Sequence, residues 1–357
     1  MIDPHVHLRD WSQKGKETLR HGLDVAWRAG LDAVFEMPNT DPPLTSRETI
    51  LRRIEDADAA LAALRVPLFH GLYAGVTASP AQIEEAVAAW SSHFPRVVGL
   101  KMYAGHSTGE MGVVEREAQT LVYSTLARLG YRGVLAIHCE KQSLLRPADW
   151  DPGRPASHAR ARPPAAEVAS VDDQRELALA AGFAGTLHVC HISTPWALNV
   201  LKGSHAPAGP EAPGAKTLRV TCGLTPHHAL LDAGMMEGPD GLLLLTNPPL
   251  RPPPMPSLML ERLCDGSIDW IETDHAPHTR EEKMQGFACG LPGLPYYPRF
   301  VAALATAGVP PSRIDDVTHD AVCRAFGMKI ENRRRTGDPD LAGEYEFDPF
   351  AVLRKAP

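Results

Sequence analysis

The sequence predicts an α/β protein whose strands close into a (β/α)8 barrel, and three observations carry that expectation. Eight short apolar runs rich in strand-forming residues recur along the 357 residues, at 2–7, 33–37, 67–76, 97–103, 133–138, 186–191, 218–222 and 268–273. Longer stretches with helical periodicity separate them, the pattern of repeated βα units around a parallel sheet. No GxGxxG motif, and no GxxxxGK followed by Ser or Thr, appears after an early run, which argues against the open doubly wound sheet of a nucleotide-binding protein.

Between the runs, 80–94, 115–129 and 168–181 return apolar residues at steps of three and four, as amphipathic helices do. The 33 prolines cluster at 146–166, 203–214 and 248–256, where Ala, Gly and Pro together read as surface loop. No segment repeats another, so a solenoid or propeller has no support. Hydrophobic residues at 44% and charged residues at 22% give an ordinary globular balance. With 36 Lys and Arg against 43 Asp and Glu, the net charge of −7 argues against nucleic acid or an anionic membrane as partner and favours a small molecule. The six cysteines (Cys139, Cys190, Cys222, Cys264, Cys289, Cys323) form no CxxC pair, so neither a disulfide framework nor a zinc knot is expected, and a reducing compartment is. No apolar run approaches the ~18 residues that span a bilayer, and Met-Ile-Asp-Pro-His does not open like a secretory leader; the expected location is the cytoplasm.

In such a barrel the catalytic residues sit where the strands end. The first run ends in His5-Val6-His7; residues two apart on a strand share a side, so both imidazoles can face one metal ion, although 16 histidines will produce an HxH by chance somewhere. The fourth buries Lys101 in an apolar strand, where an unpaired ammonium is costly. It either pairs with a buried carboxylate or has reacted with carbon dioxide to a carbamate able to bridge two cations. The fifth and sixth deliver His138 and His191; a lone strand-end histidine is more often a core residue than a ligand, but two in succession weaken that reading. His188, three residues before His191, is expected on the opposite side of its strand as a structural residue. The eighth ends in Asp274-His275-Ala276-Pro277-His278, where Asp274 serves as ligand and base together or simply caps a βα turn.

These residues resemble the amidohydrolase superfamily and, more narrowly, the dihydroorotase family, from Asp3 to about Phe300. Asp3-Pro4-His5-Val6-His7-Leu8-Arg9-Asp10 resembles the opening motif, Met37-Pro38-Asn39-Thr40 the second, and Gly99-Leu100-Lys101 the carboxylated-lysine strand. His138 and His191 take the places of the later metal histidines, and the segment from Asp274 to His278 resembles the closing motif. Thr225-Pro226-His227-His228 and Asn247-Pro248-Pro249-Leu250-Arg251 also look like family segments.

The resemblance implies two divalent metal ions, zinc in the first instance. One would be held by His5, His7, Lys101 and Asp274, the other by Lys101, His138 and His191, with N6-carboxylated Lys101 as the bridge. Asp274 would carry the proton to the leaving nitrogen, and Arg9, Asn39 and His278 would bind the ring carboxylate of dihydroorotate; read alone, Arg9 is an exposed basic residue and Asn39 a turn residue. Dihydropyrimidinases, hydantoinases and allantoinases share similar metal ligands without that trio. Ser107 and Thr108, in a loop that closes over substrate, and Asn247 and Gly290 would add contacts. The implied activity is reversible hydrolysis of the cyclic amide of L-dihydroorotate to N-carbamoyl-L-aspartate. The alternatives are another cyclic amidohydrolase, or a non-catalytic scaffold for aspartate carbamoyltransferase. A homodimer and association with that transferase are the implied protein partners, with no nucleic acid and no membrane. With His5 so near the start, no N-terminal β-sandwich strands are expected before the barrel at 1–330; 331–357 is expected as a tail packing on the barrel or a sandwich remnant.

Overall fold

A computed structural model describes residues 1–105, 111–203, 217–338 and 340–354. Its strands are β1 (Ile2–Val6), β2 (Ala33–Glu36), β3 (Phe69–Gly75), β4 (Val97–Ala104), β5 (Val134–Cys139), β6 (Thr186–Val189), β7 (Arg219–Leu224) and β8 (Trp270–Ile271). They pair in parallel in sequence order, and each corresponds to one of the eight apolar runs. Closure is made beyond β8, where Val6 pairs with His275 and the His7 N–H donates to the His275 carbonyl at 2.6 Å.

Strand alternation sorts side chains between two cores. Phe35, Tyr73, Ala136 and Trp270 share a cluster inside the barrel. Their neighbours Val34, Leu72, Leu135 and Val189 join Leu23, Ile83, Val122 and Val171 of the surrounding helices. Each fully buried Leu, Val or Phe among these contributes about 1.5–3 kcal/mol.

The helices expected at 80–94 and 115–129 form at Pro80–His93, capped by Ser79, and at Arg116–Arg128. The third starts earlier than its periodicity suggests, at Pro164–Ala180, because a proline in the first turn gives up no hydrogen bond. The 146–166 segment is exposed over most of 146–154, as a surface loop, but turns inward from Pro155. It folds into short turns that bury Ser157 and His158, and His158 Nε2 lies 3.1 Å from the Thr246 carbonyl and 3.0 Å from Asn247 Oδ1. The 248–256 segment leads into the helix Met255–Cys264, and 204–214 lies outside the described residues. Late in the chain, the Arg335 guanidinium stacks 3.3 Å over Trp27, Leu341 is fully buried, and Phe350 stacks on Tyr296 with ring centroids 3.5 Å apart.

Candidate active site

The strand ends surround a cavity of about 340 Å³. His5, His7, Lys101, His138, His191 and Asp274 line it together with Arg9, Asn39, His278, Asn247 and Gly290. Ser107 and Thr108 lie outside the described residues.

His5 and His7 reach the cavity from one face of the β1 end, as their spacing predicts. Their Nε2 atoms are 3.2 Å apart, and Asp274 Oδ1 lies 3.2 Å from the first and 3.0 Å from the second. Asn39 Oδ1 accepts from His7 Nδ1 at 2.6 Å, which leaves His7 Nε2 as a bare lone pair toward the cluster. On the far side, His138 Nε2 donates to Glu140 Oε2 at 3.0 Å, turning Nδ1 toward His191 Nε2 at 3.3 Å. Arg162 in turn donates to both Glu140 oxygens. The donor atoms of His5, His191 and Asp274 fall within 4.8 Å of one another, and those of His5, Cys190 and Glu272 form a second such group beneath. His5 Nδ1 and His191 Nδ1 are buried without a hydrogen-bond partner. Ring nitrogens converging on one carboxylate, some lacking any partner, fit a bound cation better than they fit each other.

Lys101 is fully buried and donates to Cys190 Sγ at 3.1 Å, with its ammonium 4.9 Å from the Tyr103 ring centroid. Among the described residues no carboxylate pairs with it, so the salt-bridge reading finds no partner here. Burial alone would raise the Cys190 thiol, but Lys101 and His5 draw it down to about 5. Burial would also raise Asp274, yet a hydrogen bond and charge from His5 hold it well below the usual carboxylate range.

At the other end, Arg9 Nε donates to the Pro277 carbonyl at 3.2 Å and one terminal nitrogen lies 3.3 Å from His278 Nε2. Burial, with Arg9 and Lys16 nearby, pushes His278 down to about 3 and keeps it neutral. Asn247 is held through His158, and Gly290 through Lys283, whose ammonium donates to the Leu245 and Gly290 carbonyls at 2.7 and 2.8 Å.

One expectation from strand parity needs correction. His188 does not point away: it stacks on Trp270 and lies 3.0 Å from Glu272 Oε2, inside the barrel one layer below the site. His191 reaches the cavity because its backbone turns through φ 39°, where its peptide N–H donates to Glu272. Lys16, Tyr103, Arg162 and Cys289 also line the cavity without having been singled out. Tyr103 was visible two residues after Lys101, on the same side of its strand.

Fold and site together define a cyclic amidohydrolase. The chain is 31% identical to the dihydroorotase of Halobacterium salinarum over 98% of its own length and 78% of that protein, and 30% identical to that of Bacillus licheniformis over 99% and 80%. It is 33% identical to the dihydroorotase of Pyrobaculum aerophilum over 80% of this chain, a match spanning 61% of that relative's length. The chain belongs to the dihydroorotase family. No family model matches it. Its fold is similar to that of an L-hydantoinase from Arthrobacter aurescens (TM-score 0.76, 21% identity, 91% of this chain and 70% of the other). The corresponding values for a dihydroorotase from Campylobacter jejuni are 0.68, 18%, 92% and 84%. Among the described residues no helix is long and apolar enough to cross a membrane.

Proposed function

We propose that this protein catalyses the reversible hydrolysis of L-dihydroorotate to N-carbamoyl-L-aspartate, a step of pyrimidine synthesis, in the cytoplasm. The observation that carries the reading is one cavity with a cation-binding cluster at one end and a buried guanidinium, an amide and an imidazole at the other. His5, His7 and Asp274 would hold one divalent cation, zinc in the first instance, and His138 and His191 a second, with Lys101 as a carbamate between them. Bound there, such a pair supplies Lewis acidity and an activated water.

The chain's own groups do the rest. Asn39 and Glu140 fix the tautomers of His7 and His138, so that the bare nitrogens face the cluster. Asp274, ionised in this setting, takes a proton from the attacking water and returns it to the departing ring nitrogen. Arg9 makes a two-pronged contact with the ring carboxylate, and Asn39 and His278 flank it. The deep Arg9 site favours this substrate over neutral rings, for which a buried cation would be left unpaired.

The test is ring opening of L-dihydroorotate by the zinc-supplemented protein, beside dihydrouracil, hydantoin and allantoin. Turnover of dihydroorotate alone is the expected result. Turnover of a neutral ring alone would keep the catalytic end and remove the carboxylate assignment; no turnover of any would leave a scaffold.

A further inference from the structure

We propose that Lys16 is a specificity-determining residue, a second cation that contacts the substrate carboxylate beside Arg9; this rests on the carboxylate-ring reading above. The turn after β1 brings it there. Asp10, at φ 87°, accepts from the Trp11 and Leu19 N–H groups at 2.8 and 2.9 Å and so ties off the loop that carries Lys16 to the cavity wall. The Lys16 side chain is 19% exposed, and its ammonium lies 3.0 Å from Glu282 Oε1 and 3.5 Å from His278 Nδ1.

Among the described residues the Arg9 guanidinium is not paired by contact with a carboxylate, and its contacts are a carbonyl and an imidazole. The carboxylate in contact with Lys16, Glu282, is shared with His278 Nδ1 at 3.1 Å and the Thr279 N–H at 3.2 Å, while Glu17 meets the Arg9 backbone N–H at 3.4 Å and not its guanidinium. Glu282 is thus divided among several donors and the Arg9 guanidinium touches no carboxylate, so an incoming anion finds donors on both side chains that no described carboxylate fully occupies. A ring bearing one carboxylate supplies that anion, while a ring without one leaves those donors unfilled, which is selection by an unmet interaction. The flexible lysine stem lets the ammonium follow the incoming carboxylate, whereas the fixed fork of Arg9 sets its orientation.

Orotate and uracil separate the contributions, since they differ by the carboxylate alone and their unsaturated, conjugated rings resist opening. Their binding to the zinc-supplemented protein is measured by calorimetry for the wild type, Lys16→Met, Lys16→Arg, Glu282→Gln and the double variant Lys16→Met/Glu282→Gln. We expect Lys16→Met to weaken orotate by about tenfold, the size of one charged hydrogen bond, with uracil unmoved and Lys16→Arg recovering most of the loss. The double variant should bind orotate more weakly than Glu282→Gln. Equal weakening of both ligands, or a double variant no worse than Glu282→Gln, would show that Lys16 only braces Glu282 and would overturn the proposal. A wild type that binds orotate no better than uracil would overturn the substrate reading and this inference together. Undiminished orotate preference in Lys16→Met would overturn this inference alone.

Discussion

The histidine end of the cavity stands on strand ends, whereas the charged end stands on turns. At the first, β1, β5 and the segments following β6 and β8 deliver buried rings whose mutual distances are set by the barrel itself. At the second, Arg9, Lys16 and His278 come from turns that follow β1 and β8 and are held by local hydrogen bonds and by one another, while Asn39, from the turn after β2, bridges to the first end through His7. Chemistry that tolerates little displacement is thus anchored to the most rigid part of the molecule, and the choice of ring is assigned to parts that can change without disturbing it.

Substitutions at the two ends should therefore differ in kind. Asp274→Ala should lower ring opening of dihydroorotate by about 10³-fold or more while the circular dichroism spectrum stays native; retained turnover would remove Asp274 from the mechanism. Arg9→Ala should lower kcat/KM for dihydroorotate by about 10- to 100-fold and leave any weak turnover of dihydrouracil nearly unchanged. An equal loss on both rings would mean that the two ends are not separable. Glu140→Gln removes no cavity-lining ring, but it weakens the hold on His138. Metal retained after dialysis should fall, with affinity reduced by about 10- to 100-fold, and full retention would contradict the orienting role.

The smallest effect concerns pH. Burial beside Arg9 and Lys16 pushes His278 down to about 3 from the ordinary imidazole value near 6.5. Between these values the unfolded chain binds a proton that the folded one does not, so this residue costs stability as pH falls from about 6.5 toward 3. His278→Asn should flatten part of the loss of Tm across that window, and an unchanged slope would place the cause elsewhere.

How much was legible follows the same division. Apolar runs mark strands whatever their partners, and period-two spacing puts His5 and His7 on one side, so most of the barrel and its ligand order can be read from the sequence. Parity failed at His188 because one backbone turn at φ 39° reverses the side on which His191 emerges. Lys16 and Arg162 carry no periodic signal: one sits in a turn and the other in a proline-rich segment whose composition resembles a surface loop. Glu140 was in view beside His138, but its role depends on Arg162 meeting it from 22 residues away.

Closure of the barrel also has a meaning in time. His7 leaves the ribosome long before Asp274, which lies 3.0 Å away in the finished protein but 267 positions later in the chain. The contact that seals the ring, His7 N–H to the His275 carbonyl, adjoins both residues. A nascent chain can build seven strands and still lack a working centre, so the reactive site is completed only when the barrel itself is.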